Sequence, residues 1–191
     1  MEIVVGISGA SGAAYAIRLL QVLREKGNII HLVITESAAR IIEIETDHQL
    51  KEIQDLADHV YSPRDFGAPI ASGSHLFDGM VVIPCSMGTL SGIACGGSDT
   101  LITRAASVCL KEKRRLIIVP RETPLGLVEL RNMVATAEAG AVVLPACPAF
   151  YSRPENMDDL VNVLVGRVLD LLGVENDLYR RWQGTAERKC L

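Results

Sequence analysis

The sequence predicts an α/β protein with a parallel sheet covered by helices on both faces. Three observations predict it. Short apolar runs alternate with longer amphipathic ones along the chain, the pattern of repeated β-α-β units. Three of those runs, at 79–83, 116–119 and 141–144, lead straight into Pro84, Pro120 and Pro145. Proline cannot donate to a central ladder, so each marks the carboxyl end of a strand. The first run, at 2–7, opens into the glycine-rich turn Gly6-Ile7-Ser8-Gly9-Ala10-Ser11-Gly12, with a helix behind it.

In chain order, the first helix spans about 12–26 and is stopped by Gly27-Asn28, a glycine C-cap. A second strand covers 29–34. Thr35-Glu36-Ser37 caps a helix reaching about 44, and another helix covers roughly 47–58. Residues 62–78 read as loop, with Pro63, Pro69 and Ser72-Gly73-Ser74, and at that length a functional loop is expected. The three proline-terminated strands follow, with helices at about 90–94, 99–113, 125–139 and 157–172. The segment 175–191 is a tail, expected to pack at the active site or a subunit interface; it holds the only tryptophan, Trp182. The 191 residues read as one domain.

Apolar residues make up 49% and the mean hydropathy is +0.26, yet no run is long enough to span a membrane. Buried parallel strands absorb part of this excess, and subunit interfaces would absorb the rest. A net charge of −4 argues against a nucleic-acid partner. The chain starts directly on a strand, so no leader is expected. The five cysteines, Cys85, Cys95, Cys109, Cys147 and Cys190, form no CxxC pair; a reduced, cytoplasmic protein is expected.

A strand, a glycine turn and a helix make a phosphate cradle, because close backbone approach and the first helical N–H groups favour an anion. Ser8 and Ser11 add hydroxyls. The glycine spacing is neither G-x-G-x-x-G nor a P-loop. After the prolines come Cys85-Ser86-Met87-Gly88-Thr89, Arg121-Glu122-Thr123 and Ala146-Cys147-Pro148-Ala149-Phe150-Tyr151. Ligands of open α/β sheets bind beyond the strands' carboxyl ends, so these loops and the glycine turn should line one crevice. Arg104 and Lys111 are seven apart on one helix face, and Arg167 lies on the last long helix. Several cations and few carboxylates suit a second phosphate. Against this, Lys111 also reads as a solvated helix end, Arg167 as a surface charge, and Arg121 and Glu122 as a mutual pair. No metal site is expected: His31, His48, His59 and His75 lack ligand spacing, and Asp158-Asp159 does not continue as D-D-x-x-D. No G-x-S-x-G elbow is present.

Gly9-Ala10-Ser11-Gly12, residues 84–92 (PCSMGTLSG), 101–106 (LITRAA), 119–125 (VPRETPL) and 148–151 (PAFY) resemble the flavin prenyltransferases of the UbiX/Pad type, and the similarity runs through Arg181-Trp182-Gln183-Gly184. The resemblance implies a flavodoxin-like Rossmann fold, a three-layer sandwich assembled as a homododecamer. It implies transfer of a dimethylallyl group from dimethylallyl phosphate to N5 and C6 of reduced FMN, the product serving a UbiD-type decarboxylase. Position by position, Gly9, Ala10, Ser11, Thr35 (or Glu36 or Ser37 in a shifted register), Ser86, Met87, Gly88, Thr89 and Arg121 resemble FMN contacts. Tyr151 and Arg167 resemble ligands of the dimethylallyl phosphate. Arg104, Lys111 and Glu122 match positions around the same phosphate, Glu45 the other active-site glutamate, and Trp182 a nearby aromatic. Cross-subunit placement of some of these is also implied by the family. The resemblance gives Ser11, Glu45, Arg104, Lys111 and Glu122 as the catalytic set. The rival readings are an FMN-dependent cysteine decarboxylase, whose P-x-S-x-N-T asparagine is replaced here by Gly88, and a non-catalytic FMN carrier.

Overall fold

Strands β1 (Glu2–Ile7), β2 (Ile29–Ile34), β3 (His59–Tyr61), β4 (Gly79–Cys85), β5 (Arg115–Pro120) and β6 (Val142–Val143) form one sheet in the computed structural model, which describes residues 1–184. Every pairing is parallel, in the order β3-β2-β1-β4-β5-β6. The order reverses between β1 and β4, which opens a crevice beyond their carboxyl ends.

Side chains alternate strictly between two cores, as a sheet covered on both faces requires. Ile3, Val5 and Ile7 of β1, with Ile30, Leu32 and Ile34 of β2, pack against α1 (Ala13–Glu25), α2 (Glu36–Glu45) and α7 (Met157–Leu172). Val4, Val33, Met80, Val82 and Ile118 face α4 (Met87–Ala94) and α5 (Leu101–Lys111). The expected flavodoxin-like three-layer arrangement is therefore present. The helix α1 ends in a Schellman motif: Gly27, at φ +71°, donates to the Arg24 carbonyl, and the Asn28 amide reaches that of Leu23.

Four elements differ from expectation. The helix expected over 47–58 is reduced to α3 (Leu50–Gln54), because Asp58 has already joined the sheet edge: its N–H donates to the Ile30 carbonyl and its carboxylate accepts from the Ile30 amide at 2.8 Å. That edge contact leads into β3, a three-residue strand not anticipated from the sequence. The strand β4 continues through Pro84 to Cys85, across a register shift that removes the need for a proline N–H. Helix α4 starts at Met87 rather than about 90, with Ser86 as its cap.

The segment 62–78 is packed rather than open. Ala68, Ile70, Ala71 and Phe77 enter the second core, and Arg114 donates to the carbonyls of His75 and Gly73 at 2.7 and 2.5 Å. The described part of the tail lies on α7. Gly166 is the notch it needs, since a Cβ there would stand 2.4 Å from the Tyr179 ring, and Asn176 donates to Asp170 at 2.9 Å. Cys190 lies outside the described residues. Helix α6 (Leu127–Glu138) leaves Leu127, Val128, Leu130 and Val134 exposed. No helix among the described residues is long and apolar enough to cross a membrane.

Candidate active site

The glycine turn is built from its own side chains before any ligand is considered. Ser8 is buried; its hydroxyl donates to the Pro84 carbonyl at 3.1 Å and accepts from the Ser86 amide at 2.8 Å. It is spent on stitching the loop after β1 to the loop after β4, which corrects its expected role as a ligand donor. Gly9 is required by Ser37, whose Oγ would lie 2.4 Å from a Cβ at that position. Gly12 takes φ +114°, a conformation that L side chains rarely adopt, and starts α1.

The first amides of α1, expected to cradle a phosphate, already hold an anion. Glu45 at the end of α2 accepts from the Gly12 and Ala13 N–H groups at 2.8 and 2.9 Å. Burial raises the Glu45 carboxyl, but hydrogen bonds from Ser11, Ala13 and Gly12 and the charge of Arg121 outweigh it, and the net shift is downward. An ionised acceptor in this position is no proton donor at neutral pH. It fixes the turn and the Ser11 hydroxyl.

Arg121, at the end of β5, crosses to the same turn and donates from Nε to the Ser11 carbonyl at 3.1 Å. It does not pair with Glu122, whose Oε1 accepts from the Thr123 amide instead. At the entrance of α4 the Ser86 hydroxyl caps the helix and donates to Thr89 Oγ1 at 3.2 Å. The first amides of α4 have no intrahelical partner by helix geometry. Nothing lies within 4 Å of where a Gly88 Cβ would be, so there is open space above that turn. Thr35 caps α2, and its Oγ1 stands 3.2 Å from Ser37 Oγ. Of the three register choices, Thr35 and Ser37 both reach the turn. Cys85, beside these groups, is buried and its thiol is pushed up to about 12, which leaves it inert as a nucleophile.

A second cluster forms where the tail meets α7. Arg167 bonds Tyr179 OH at 3.5 Å and Asp170 at 3.4 Å, with Tyr151 close enough to act on its charge. Trp182 meets Tyr151 edge-on at 5.5 Å. Asp170 anchors the group, accepting from Arg181 at 2.7 Å and Tyr179 at 2.7 Å. Burial raises its carboxyl, but the bonds from Arg181, Tyr179 and Asn176 prevail and hold it at about 2 instead of 3.8. A folded value below the unfolded one contributes stability that is full above the unfolded value and lost as pH falls through the folded one. Asp170→Asn should therefore cost on the order of 1–2 kcal/mol at neutral pH, after allowance for solvent screening. The difference from the parent protein should close between about pH 4 and pH 2. Urea denaturation of both proteins across that range measures it, and a constant difference would show the network to be electrostatically idle.

The remaining expected residues are not gathered in one chain. Arg104 donates from Nε to the Ala71 carbonyl at 2.9 Å. Lys111 is exposed at the far end of α5, roughly 10 Å further along its axis. None of the described hydrogen bonds or ion pairs links Arg104, Lys111 or Glu122 to the two clusters. A cleft of about 500 Å³ lies elsewhere, between Arg18, Gln21, His48, Asp158 and Asn162, and contains none of the expected residues. The structure also brings together a group the sequence spacing did not reveal: Glu2, His31 and His75.

The geometry defines a class: a parallel α/β protein with its ligand crevice at the switch point between β1 and β4. The family model Flavoprotein matches residues 1–169. The flavin prenyltransferase UbiX of Thermoplasma acidophilum is 56% identical over 182 residues, covering 95% of this chain and all of that protein. The structure of AnUbiX in complex with FMN and dimethylallyl pyrophosphate superimposes with a TM-score of 0.95 at 45% identity, covering 97% and 98% of the two chains. A dodecameric FMN-dependent UbiX-like decarboxylase from Escherichia coli O157:H7 gives 0.94 at 48% identity, covering 96% and 100%. The chain belongs to the UbiX flavin prenyltransferase family.

FMN suits the residues present. The open space at Gly88, the first amides of α4 left by the Ser86 cap, the Thr35 and Ser37 hydroxyls and Arg121 all lie just beyond the carboxyl ends of β2, β4 and β5, beside the turn 9–11 that follows β1.

Proposed function

We propose that this chain is a metal-independent flavin prenyltransferase, joining a dimethylallyl group from dimethylallyl phosphate to N5 and C6 of reduced FMN. The observation that carries the reading is the match of nearly the whole chain, at 56% identity, to a flavin prenyltransferase. Gly88 offers no side chain where a cysteine decarboxylase has its carboxylate-holding asparagine, and the Tyr151–Arg167 cluster is more than a flavin carrier needs.

Gly9, Ala10, Ser11, Thr35, Ser86, Met87, Gly88, Thr89 and Arg121 would hold the flavin. When bound, reduced FMN supplies the nucleophilic atoms and a π-face that stabilises an allylic cation. The protein's task is then to stabilise the leaving phosphate. Arg167 and the Tyr151 hydroxyl do so from one cluster, with Trp182 closing over them. Arg104 and Lys111, apart from that cluster in the isolated chain, act on the phosphate bound by a neighbouring copy. The exposed apolar face of α6 supports such an assembly, taken to be a homododecamer. Glu122 and the released phosphate manage the proton lost on ring closure, and Ser11, oriented by Glu45, relays near N5. The product would pass to a UbiD-type decarboxylase, and the setting is cytoplasmic.

Anaerobic incubation with reduced FMN and dimethylallyl phosphate in the presence of chelator, followed by mass spectrometry of the released flavin, tests this. A flavin heavier by one C5 unit is expected. An unchanged flavin, from protein shown to bind FMN, would favour the carrier or the cysteine decarboxylase, and peptides ending in cysteine would be tried next. With Glu122→Gln, ring closure should slow by roughly 10²- to 10⁴-fold while FMN binding persists. Full-rate formation of both bonds would remove Glu122 from the mechanism.

A further inference from the structure

We propose that Glu2, His31 and His75 form a divalent-metal site, best suited to zinc, at the amino edge of the sheet and away from the flavin crevice. Glu2 opens β1, and His31 lies on the same sheet face in β2, where its strand register sets it opposite Val4. His75 arrives from the packed segment before β4. The Nε2 atoms of His31 and His75 lie 2.8 and 2.9 Å from the same Glu2 oxygen, Oε1, and all three ligand atoms fall within 4.8 Å of one another.

The arrangement is incomplete as a hydrogen-bonded triad. His31 is 2% exposed and both its ring nitrogens have partners, Glu2 and the Tyr61 hydroxyl. His75 Nε2 is shut off from solvent, and despite its distance from Glu2 it makes no hydrogen bond. Two imidazole nitrogens thus converge on one carboxylate oxygen and only one is satisfied. A cation between them uses both lone pairs. A tetrahedral zinc ion, with bonds of about 2.0–2.2 Å, spaces its ligands roughly 3.3 Å apart, so each imidazole–carboxylate separation, 2.8 and 2.9 Å here, needs to open by only about half an ångström. Glu2, at 27% side-chain exposure, has room to move.

The surroundings are those of a metal site. With zinc on Nε2, His31 carries its proton on Nδ1 and donates it to the Tyr61 hydroxyl 2.9 Å away, which fixes the ring. The backbone of His75 is pinned by Arg114, whose guanidinium also stacks on Phe77 at 4.5 Å. The Glu2 amide donates to Asp78 at 2.7 Å. Two imidazoles and one carboxylate suit zinc better than calcium or magnesium, which prefer more oxygens. Three protein ligands leave one coordination position for water. The bound ion would tie the segment before β4 to the first two strands.

Untagged protein stripped with chelator should take up one zinc per chain in equilibrium dialysis, and cobalt should give the intense visible bands of a tetrahedral site. His75→Ala and Glu2→Gln should each lose that uptake while still binding FMN. Tyr61→Phe should weaken it roughly tenfold, and His48→Ala should leave it unchanged. Should His75→Ala fail to fold, Glu2→Gln decides. No uptake by the parent protein, or uptake undiminished in Glu2→Gln, overturns the proposal. Prenyl transfer is not the readout, since the site lies apart from the crevice.

Discussion

Arg121→Ala is expected to lower the affinity for FMN by roughly 10- to 100-fold, the worth of losing charge-assisted hydrogen bonds. Arg121 joins three parts of the crevice: it leaves the end of β5, donates to the Ser11 carbonyl of the glycine turn, and its charge helps keep Glu45 ionised. Removing it frees that carbonyl and leaves the Glu45 carboxylate to the two α1 amides and Ser11. Lysine would not rescue the loss, because its compact ammonium lacks both the Nε–H directed at the turn and the planar fork. Fluorescence titration of FMN measures the effect, and circular dichroism confirms that the fold is kept. Parental affinity in the alanine variant would remove Arg121 from the binding site.

Arg167→Ala should produce the opposite separation, with FMN binding retained and kcat/KM for dimethylallyl phosphate reduced by about 10²- to 10³-fold. Its guanidinium stands next to Tyr151 and is steadied by Asp170 and Tyr179. Charge that develops on a leaving phosphate would be stabilised there with little reorganisation. Asp170 keeps its Arg181 partner in the variant, so the tail should stay docked. Single-turnover kinetics with saturating FMN separate the chemical step from binding. An unaltered rate would mean that the donor phosphate is held elsewhere.

The parts of this molecule that could be read from sequence are those governed by local rules. The bounds of β1, β2 and α7 follow from apolar period and end signals, and the structure reproduces them. The strand β3 escaped notice because it has only three residues, two of them exposed, and exists through pairing with β2. The helix expected at 47–58 failed for the same reason, an edge contact between Asp58 and Ile30 that no local pattern announces. In the crevice, the glycine turn was visible and its resident anion was not, because Glu45 comes from another helix 32 and 33 positions on. Glu2, His31 and His75 share no motif; only the parallel register places the first two on one face.

The carboxylate seated on α1 gives the crevice a built-in direction. At one end the Gly12 and Ala13 amides of α1 are already filled by Glu45, whose charge Arg121 offsets; the other offers the first amides of α4 that the Ser86 cap leaves open, with the positive end of that helix behind them. A long ligand charged at one tip would meet this gradient with its anionic tip favoured at α4, whose first amides are open, over α1, whose amides are taken. FMN carries such a tip. Riboflavin, without the phosphate, gives the gradient nothing to act on, and the protein would discriminate between the two through orientation as much as through affinity.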